Sequence, residues 1–183
     1  MAPPVVEIMV LDIVINAIWF ILPAWMGNML ACTFGGGKPI DGGTYFVDGR
    51  PLLGKGKTIR GFLVGVVSAV IVAVIQQIIW TPYDFNPFIF GLLMGCGAMM
   101  GDLLKSFIKR RINISSGKPF PPFDQIDFIC GALAFYYIAG PVVLNTFYPL
   151  SWGIIIILFV LTPLAHLSTN AIGYKLDMKD VWW

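Results

Sequence analysis

Apolar residues in this chain run in long blocks, not in strict alternation. Five blocks stand out: Val5 to Ala31, broken by Glu7, Asp12 and Pro23; Gly61 to Trp80; Pro87 to Ile108, with Asp102 and Lys105 in its last turns; Ile126 to Phe147; and Trp152 to Ile172. A bilayer core takes about 20 residues of helix, so each block is predicted to be a transmembrane helix. The expected fold is all-α, a polytopic membrane protein with five transmembrane helices. Two long loops, Cys32 to Arg60 and Lys109 to Gln125, and two short ones, Thr81 to Asn86 and Tyr148 to Ser151, join them. There is no internal repeat. Gly35 to Gly37 is turn material, and residues 1–183 read as one integral membrane domain.

Composition agrees. The chain is 57% hydrophobic and 12% charged, with a mean hydropathy of +0.81. Soluble domains carry about 25% charged residues, so polar surface is too scarce for a soluble globule. The net charge of +2 says less than its distribution. Lys38, Arg50, Lys55, Lys57 and Arg60 lie in the first long loop. Lys105, Lys109, Arg110, Arg111 and Lys118 lie at the third helix end and in the second long loop. Lys175 and Lys179 lie in the tail, which completes the 12 basic residues. Positive charge stays on the cytoplasmic side. The chain is therefore expected in the cell membrane with its long loops and C-terminus cytoplasmic and its N-terminus outside. Charge gathered this way orients a membrane protein, and no nucleic acid partner is expected. The first apolar block lacks a basic leader and a small-residue cleavage site, so it is read as retained. Trp152, Trp182 and Trp183 fit interfacial anchors. Cys32, Cys96 and Cys130 form no CxxC pair and read as small packing residues.

Polar residues inside membrane helices are costly and usually face a partner or a cavity. Asp102, Lys105, Ser106 and Lys109 lie at i, i+3, i+4 and i+7, on one helical face. They are either a self-neutralising group or a site for an anionic ligand with a metal. Asp124 and Asp127 lie at i and i+3 where the fourth helix begins, after Pro121 and Pro122, which are expected to hold the approach extended. One such Asp is a natural helix cap; two together also suit a Mg²⁺ on nucleotide phosphates. Gly54 to Gly61 reads GKGKTIRG. It falls short of a Walker A loop, since Pro51 stands where the first glycine belongs and no strand pattern precedes it. Small residues with Lys57 and Arg60 at a helix start still suit phosphate, or the basic residues only anchor at the membrane surface. His166 reads as a packed residue of the fifth helix. Glu7 and Asp12 are either exposed or paired.

Gly101-Asp102, then Ser106, then Lys109-Arg110, then Asp124-Gln125-Ile126-Asp127 resembles the signature of phosphatidate cytidylyltransferases. Lys57-Thr58-Ile59-Arg60-Gly61-Phe62 is similar to a further element of that group. The closer resemblance is to its short archaeal relatives, the CDP-archaeol synthases. It extends to Pro39-Ile40-Asp41-Gly42-Gly43, Asp48-Gly49, Gly54 and Gly117, and so covers the whole chain. Lys118 to Phe123 and Gln125 depart from the bacterial pattern, which has a histidine and an arginine in this region. The resemblance implies transfer of a cytidylyl group from CTP to a prenylated glycerol phosphate lipid in the bilayer, with Mg²⁺ as cofactor. It implies Asp102 and Asp124 as metal ligands, and Asp127 and Lys109 with them as the reacting site. It also implies nucleotide contacts from Asp41, Lys57, Thr58, Arg60, Gly61, Ser106, Arg110 and Gly117. A lipid phosphate is largely a dianion at neutral pH, its second pKa being about 6. The chemical problem is thus to bring two polyanions together, which calls for cations more than for a base.

Two other readings fit the residues less well. A CDP-alcohol phosphotransferase would carry a D-G-x-x-A-R run, and Asp48-Gly49-Arg50 lacks that spacing. A small transporter would show repeated halves or polar groups near the midplane, whereas the charged residues here gather at one end of the helices.

Overall fold

The computed structural model describes residues 5–175. Five helices account for most of them: α1 (Val5–Phe34), α2 (Ile59–Ile79), α3 (Pro87–Arg111), α4 (Phe123–Val143) and α5 (Trp152–Lys175). Among the described residues there are no strands, only isolated bridges between Pro39 and Thr58 and between Tyr45 and Pro51. Leu11–Phe34, Ile59–Ile79, Pro87–Arg111 and Phe123–Val143 are long and apolar enough to cross a membrane; within α5, Trp152–Ser168 is apolar but shorter. Trp152 stands exposed at the start of α5. Trp182, Trp183 and Lys179 lie outside the described residues, as does the side chain of Glu7.

The helix ends depart from the apolar blocks where polar groups settle them. α2 starts at Ile59 because Thr58 caps it: its Oγ1 accepts from the amides of Gly61 at 3.1 Å and Gly36 at 3.2 Å. A side-chain oxygen at this position satisfies donors that the first helical turn leaves without partners. α3 runs on to Arg111, so its last turn holds Lys109, Arg110 and Arg111, where cations favour the negative end of the helix dipole. α4 starts at Phe123, three residues before its apolar block, with Asp124 in the first turn. The approach to α4 is not extended. The Pro121–Pro122 bond is cis, Pro122 has ψ near 1°, and the Asp124 amide donates to the Phe120 carbonyl at 3.1 Å, which turns the segment back on itself.

Residues 22–147 form one compact unit, and residues 5–21 with 148–175 form another. In the second unit, Ala17, Phe20, Ile21, Leu158 and Thr162 are buried. The larger unit is organised on α3, which presents glycines to two neighbours. A Cβ on Gly95 would lie 2.9 Å from Val66 Cα of α2, and one on Gly97 would lie 2.7 Å from Ala132 Cα of α4. Gly101 touches the Asp127 carbonyl, and Gly131 of α4 answers with a Cβ position 2.8 Å from Gly101 Cα. Small residues spaced by four let membrane helices approach to backbone contact. Gly91 and Gly95 do this toward α2, and Gly97 and Gly101 toward α4. Away from the basic loops, Phe85, Phe90, Tyr136 and Phe147 stack, with Phe85 to Phe90 at 4.7 Å and Tyr136 to Phe147 at 5.1 Å.

Candidate active site

The long loop before α2 folds into a hairpin-like flap. Ile40 N donates to Lys57 O at 2.8 Å, Ile59 N to Lys38 O at 3.1 Å, and Phe46 N to Arg50 O at 2.8 Å. Asp41 organises its inner end: its carboxylate accepts from the amides of Gly43 at 3.0 Å, Leu53 at 2.9 Å and Gly54 at 3.1 Å. Burial alone would raise the Asp41 carboxyl, but these amide donors outweigh it and hold the group below the ordinary carboxylate range. Hydrogen bonds to the charged form act in that direction.

The flap is fastened to the end of α3 by arginines. Arg110 donates through Nε to the Leu53 carbonyl at 3.1 Å and through Nη1 to the Ile114 carbonyl. Arg111 pairs with Asp48 at 2.5 Å and donates to the Pro51 carbonyl at 2.5 Å. Its guanidinium also sits over the rings of Phe46 and Phe107, at 4.7 and 4.9 Å from their centroids. Arg50 reaches back to the carbonyls of Arg110 and Arg111. Arg110, expected to neutralise nucleotide charge, therefore has loop carbonyls as partners for its buried side chain.

This arrangement brings Lys57 onto the acid of α3. Lys57 Nζ lies 2.6 Å from Asp102 Oδ2. Lys105, one turn further on, lies 3.1 Å from Asp102, 3.2 Å from Asp124 and 2.7 Å from Asp127. Lys109 lies 3.2 Å from Asp124 and donates to the Lys118 carbonyl at 2.5 Å. Three carboxylates and three ammoniums thus form one linked cluster where α3, α4 and the segment before α2 meet. Asp124 is not the N-cap of α4. That position is Pro122, which makes no side-chain cap, and Asp124 Oδ2 instead accepts from the Phe120 amide upstream at 2.6 Å.

Asp102, Lys57, Thr58 and Gly61 line one cleft of about 100 Å³, together with Gly35, Gly36 and Gly56. Asp41 and Arg110 line another, of about 330 Å³, with Arg50, Lys55 and Ser115. Of the eight residues expected to touch nucleotide, three thus line one cleft and two the other, while Ser106, Arg60 and Gly117 line neither. Ser106 is buried on α3, Arg60 is exposed at the second position of α2, and Gly117 takes a positive φ of 80° in the second loop. Sequence reasoning placed Lys105 on the polar face, either as a counter-charge to Asp102 or as part of an anion site, and left it out of the reacting and nucleotide-contacting residues. Its spacing of three from Asp102 was visible; its contacts with Asp124 and Asp127 required the fold of α4 against α3.

A family model described as CarS-like, CDP-archaeol synthase, matches residues 10–183. The CDP-archaeol synthase of Methanocaldococcus jannaschii is 44% identical over 180 residues, covering 91% of this chain and 96% of that protein. The CDP-archaeol synthase of Methanopyrus kandleri is 43% identical, covering 92% of each chain. That of Pyrococcus furiosus is 41% identical, covering 93% of this chain and 98% of the other. A solved structure of an intramembrane enzyme for archaeal membrane lipids biosynthesis superposes with a TM-score of 0.76 at 32% identity, covering 86% of this chain and 94% of that one. Through this match along nearly its whole length, the chain belongs to the CDP-archaeol synthase family.

Proposed function

We propose that this protein transfers the cytidylyl group of CTP to 2,3-bis-O-(geranylgeranyl)-sn-glycerol 1-phosphate, releasing pyrophosphate. The observation that carries the reading is the convergence of Asp102, Asp124 and Asp127 with Lys57, Lys105 and Lys109 at one end of apolar helices. A phosphate oxygen of the lipid attacks the α-phosphorus of CTP. The bond from that phosphorus to the bridging oxygen breaks, and the electron pair leaves with pyrophosphate. The nucleophile is already largely a dianion, so no side chain has to remove a proton. The residues hold two polyanions in line and offset their charge. Lys57 supports the phosphates from the glycine-rich cleft, and Lys109 acts from the last turn of α3. The lipid approaches sideways between helices with its phosphate at the charged end.

Among the described residues, no three His, Cys, Asp or Glu side chains are grouped so as to hold a metal by themselves. Asp102 and Asp124 instead flank one ammonium, at 3.1 and 3.2 Å. An all-oxygen pair of this kind fits Mg²⁺, which takes one or two carboxylates and completes its shell with substrate phosphate and water. When bound there, the ion supplies charge neutralisation at the phosphates. The one-sided basic residues support a membrane orientation with the long loops cytoplasmic and the N-terminus outside.

The test is incubation of purified protein with a prenylated glycerol phosphate, Mg²⁺ and each nucleoside triphosphate in turn. A CDP-lipid and pyrophosphate in equal amounts, formed with CTP, are expected. No CDP-lipid with any prenylated acceptor would overturn the assignment. For orientation, a single-cysteine variant carrying Ser115→Cys should be protected from an impermeant thiol reagent outside intact cells, and ready labelling would reverse the topology.

A further inference from the structure

The Lys105 ammonium occupies the position where the three carboxylates meet. It lies 3.1 Å from Asp102, 3.2 Å from Asp124 and 2.7 Å from Asp127, and its side chain is only 13% exposed. Lys57 takes Oδ2 of Asp102, and Lys109 reaches both oxygens of Asp124. The cluster is therefore balanced in formal charge, three against three. A free divalent cation would have to displace one ammonium and sit beside two others. At such distances, in a poorly hydrated setting, like charges repel strongly, as Coulomb's law requires at low dielectric. A triphosphate changes that balance, because its oxygens complete the cation's shell and offer the ammoniums another anionic partner.

We propose that Lys105 is a built-in counter-ion that keeps free divalent cation out of the Asp102, Asp124 and Asp127 cluster, so that metal is taken up only together with a nucleoside triphosphate. The inference rests on the reaction proposed above. It makes Lys105 a positioning residue whose charge sets the coupling between metal and nucleotide. By linkage, nucleotide then raises metal affinity by the same factor as metal raises nucleotide affinity.

The experiment measures Mn²⁺ binding to the detergent-solubilised full chain by electron paramagnetic resonance, with and without CTP, for the parent, Lys105→Met and Lys105→Arg. Without nucleotide, the parent and Lys105→Arg should bind Mn²⁺ weakly, and Lys105→Met at least about tenfold more tightly, since an opposing charge is gone. The gain in Mn²⁺ affinity on adding CTP should be smaller in Lys105→Met than in the parent. Lys105→Met binding no tighter than the parent, or Lys105→Arg binding as tightly as Lys105→Met, would overturn the proposal. Where Lys105→Met is too unstable for titration, its melting temperature should rise with Mn²⁺ more than that of the parent. An equal rise, or none, would also count against it. These binding results stand apart from turnover. A parent that makes no CDP-lipid removes the reaction, whereas an active parent with no tightening in Lys105→Met removes only the role of Lys105.

Discussion

Lys57 and Asp102 are 45 residues apart in the chain, and their side chains meet with Nζ 2.6 Å from Oδ2. The contact joins the glycine-rich segment that opens α2 to the acid near the end of α3. Lys57→Ala should weaken CTP binding about tenfold or more, in line with loss of a charge-assisted hydrogen bond. Folding should change little, because Asp102 keeps Lys105 as a partner. Calorimetric titration of CTP with thermal melting checks both parts, and parental affinity would remove Lys57 from the nucleotide site.

Asp102→Asn and Asp124→Asn keep size and shape while removing an anionic ligand. Turnover should fall at least about a hundredfold in each, as when a group acting on transition-state charge is lost. If the acids served only to pair with lysines, the variants would lose stability and keep their Mg²⁺ dependence. Initial rates across a Mg²⁺ series, read beside melting temperatures, separate these outcomes. A near-parental rate at saturating Mg²⁺ would take that residue out of the reaction.

The flap should respond to acid through Asp41. Its carboxyl is depressed in the folded protein by the amides of Gly43, Leu53 and Gly54. A depressed carboxyl contributes stability that is complete above its unfolded pKa of about 4 and is lost as pH falls through the lower folded value. Pepsin cleavage within residues 44–52 should therefore rise as pH drops below about 4. Asp41→Asn should open the flap already at neutral pH and flatten the response. A pH profile shared by the parent and Asp41→Asn would exclude this carboxylate as the cause.

Gly101→Ala and Gly131→Ala should each destabilise the protein by about 1–3 kcal/mol, the usual cost of forcing extra atoms into a packed contact. A Cβ on either one meets backbone of the facing helix, which cannot turn aside. Activity should fall further than stability alone explains, because the acids of α3 and α4 would be moved apart. Melting in detergent and specific activity at a temperature where both variants stay folded test this. Parental values for both would show that α3 and α4 can separate freely.

Much of this architecture was legible in the apolar blocks, since about 20 residues without charge leave a membrane-spanning helix as the simplest solution. Asp102, Asp124 and Asp127 were legible too, because acids near the ends of membrane helices are costly unless they serve a partner. The basic residues were harder to sort. Lys57 and Lys109 reach the carboxylates of the site, while Arg50 and Arg110 take backbone carbonyls and Arg111 pairs with Asp48 of the flap. A cation shows no such difference in the chain, because its partner is chosen by tertiary contact. Lys105 illustrates the limit best: one of its three acids is its helical neighbour, and the other two come from α4. The turn at Pro121 and Pro122 escaped for a related reason. The restriction that proline places on the residue before it favours an extended path, but the Phe120 and Asp124 contacts close that path into a turn.

The glycine contact of α3 with α4 lies directly beside the acids, with Gly101 against the Asp127 carbonyl and Gly131 against Gly101. Main chain touches main chain there, so no rotamer change can widen the gap. Asp102 follows Gly101 directly in the chain, and Asp127 lies one turn before Gly131. The distance across which the two acids face each other is thus set by main-chain contact, and not by the length or rotamer of any side chain.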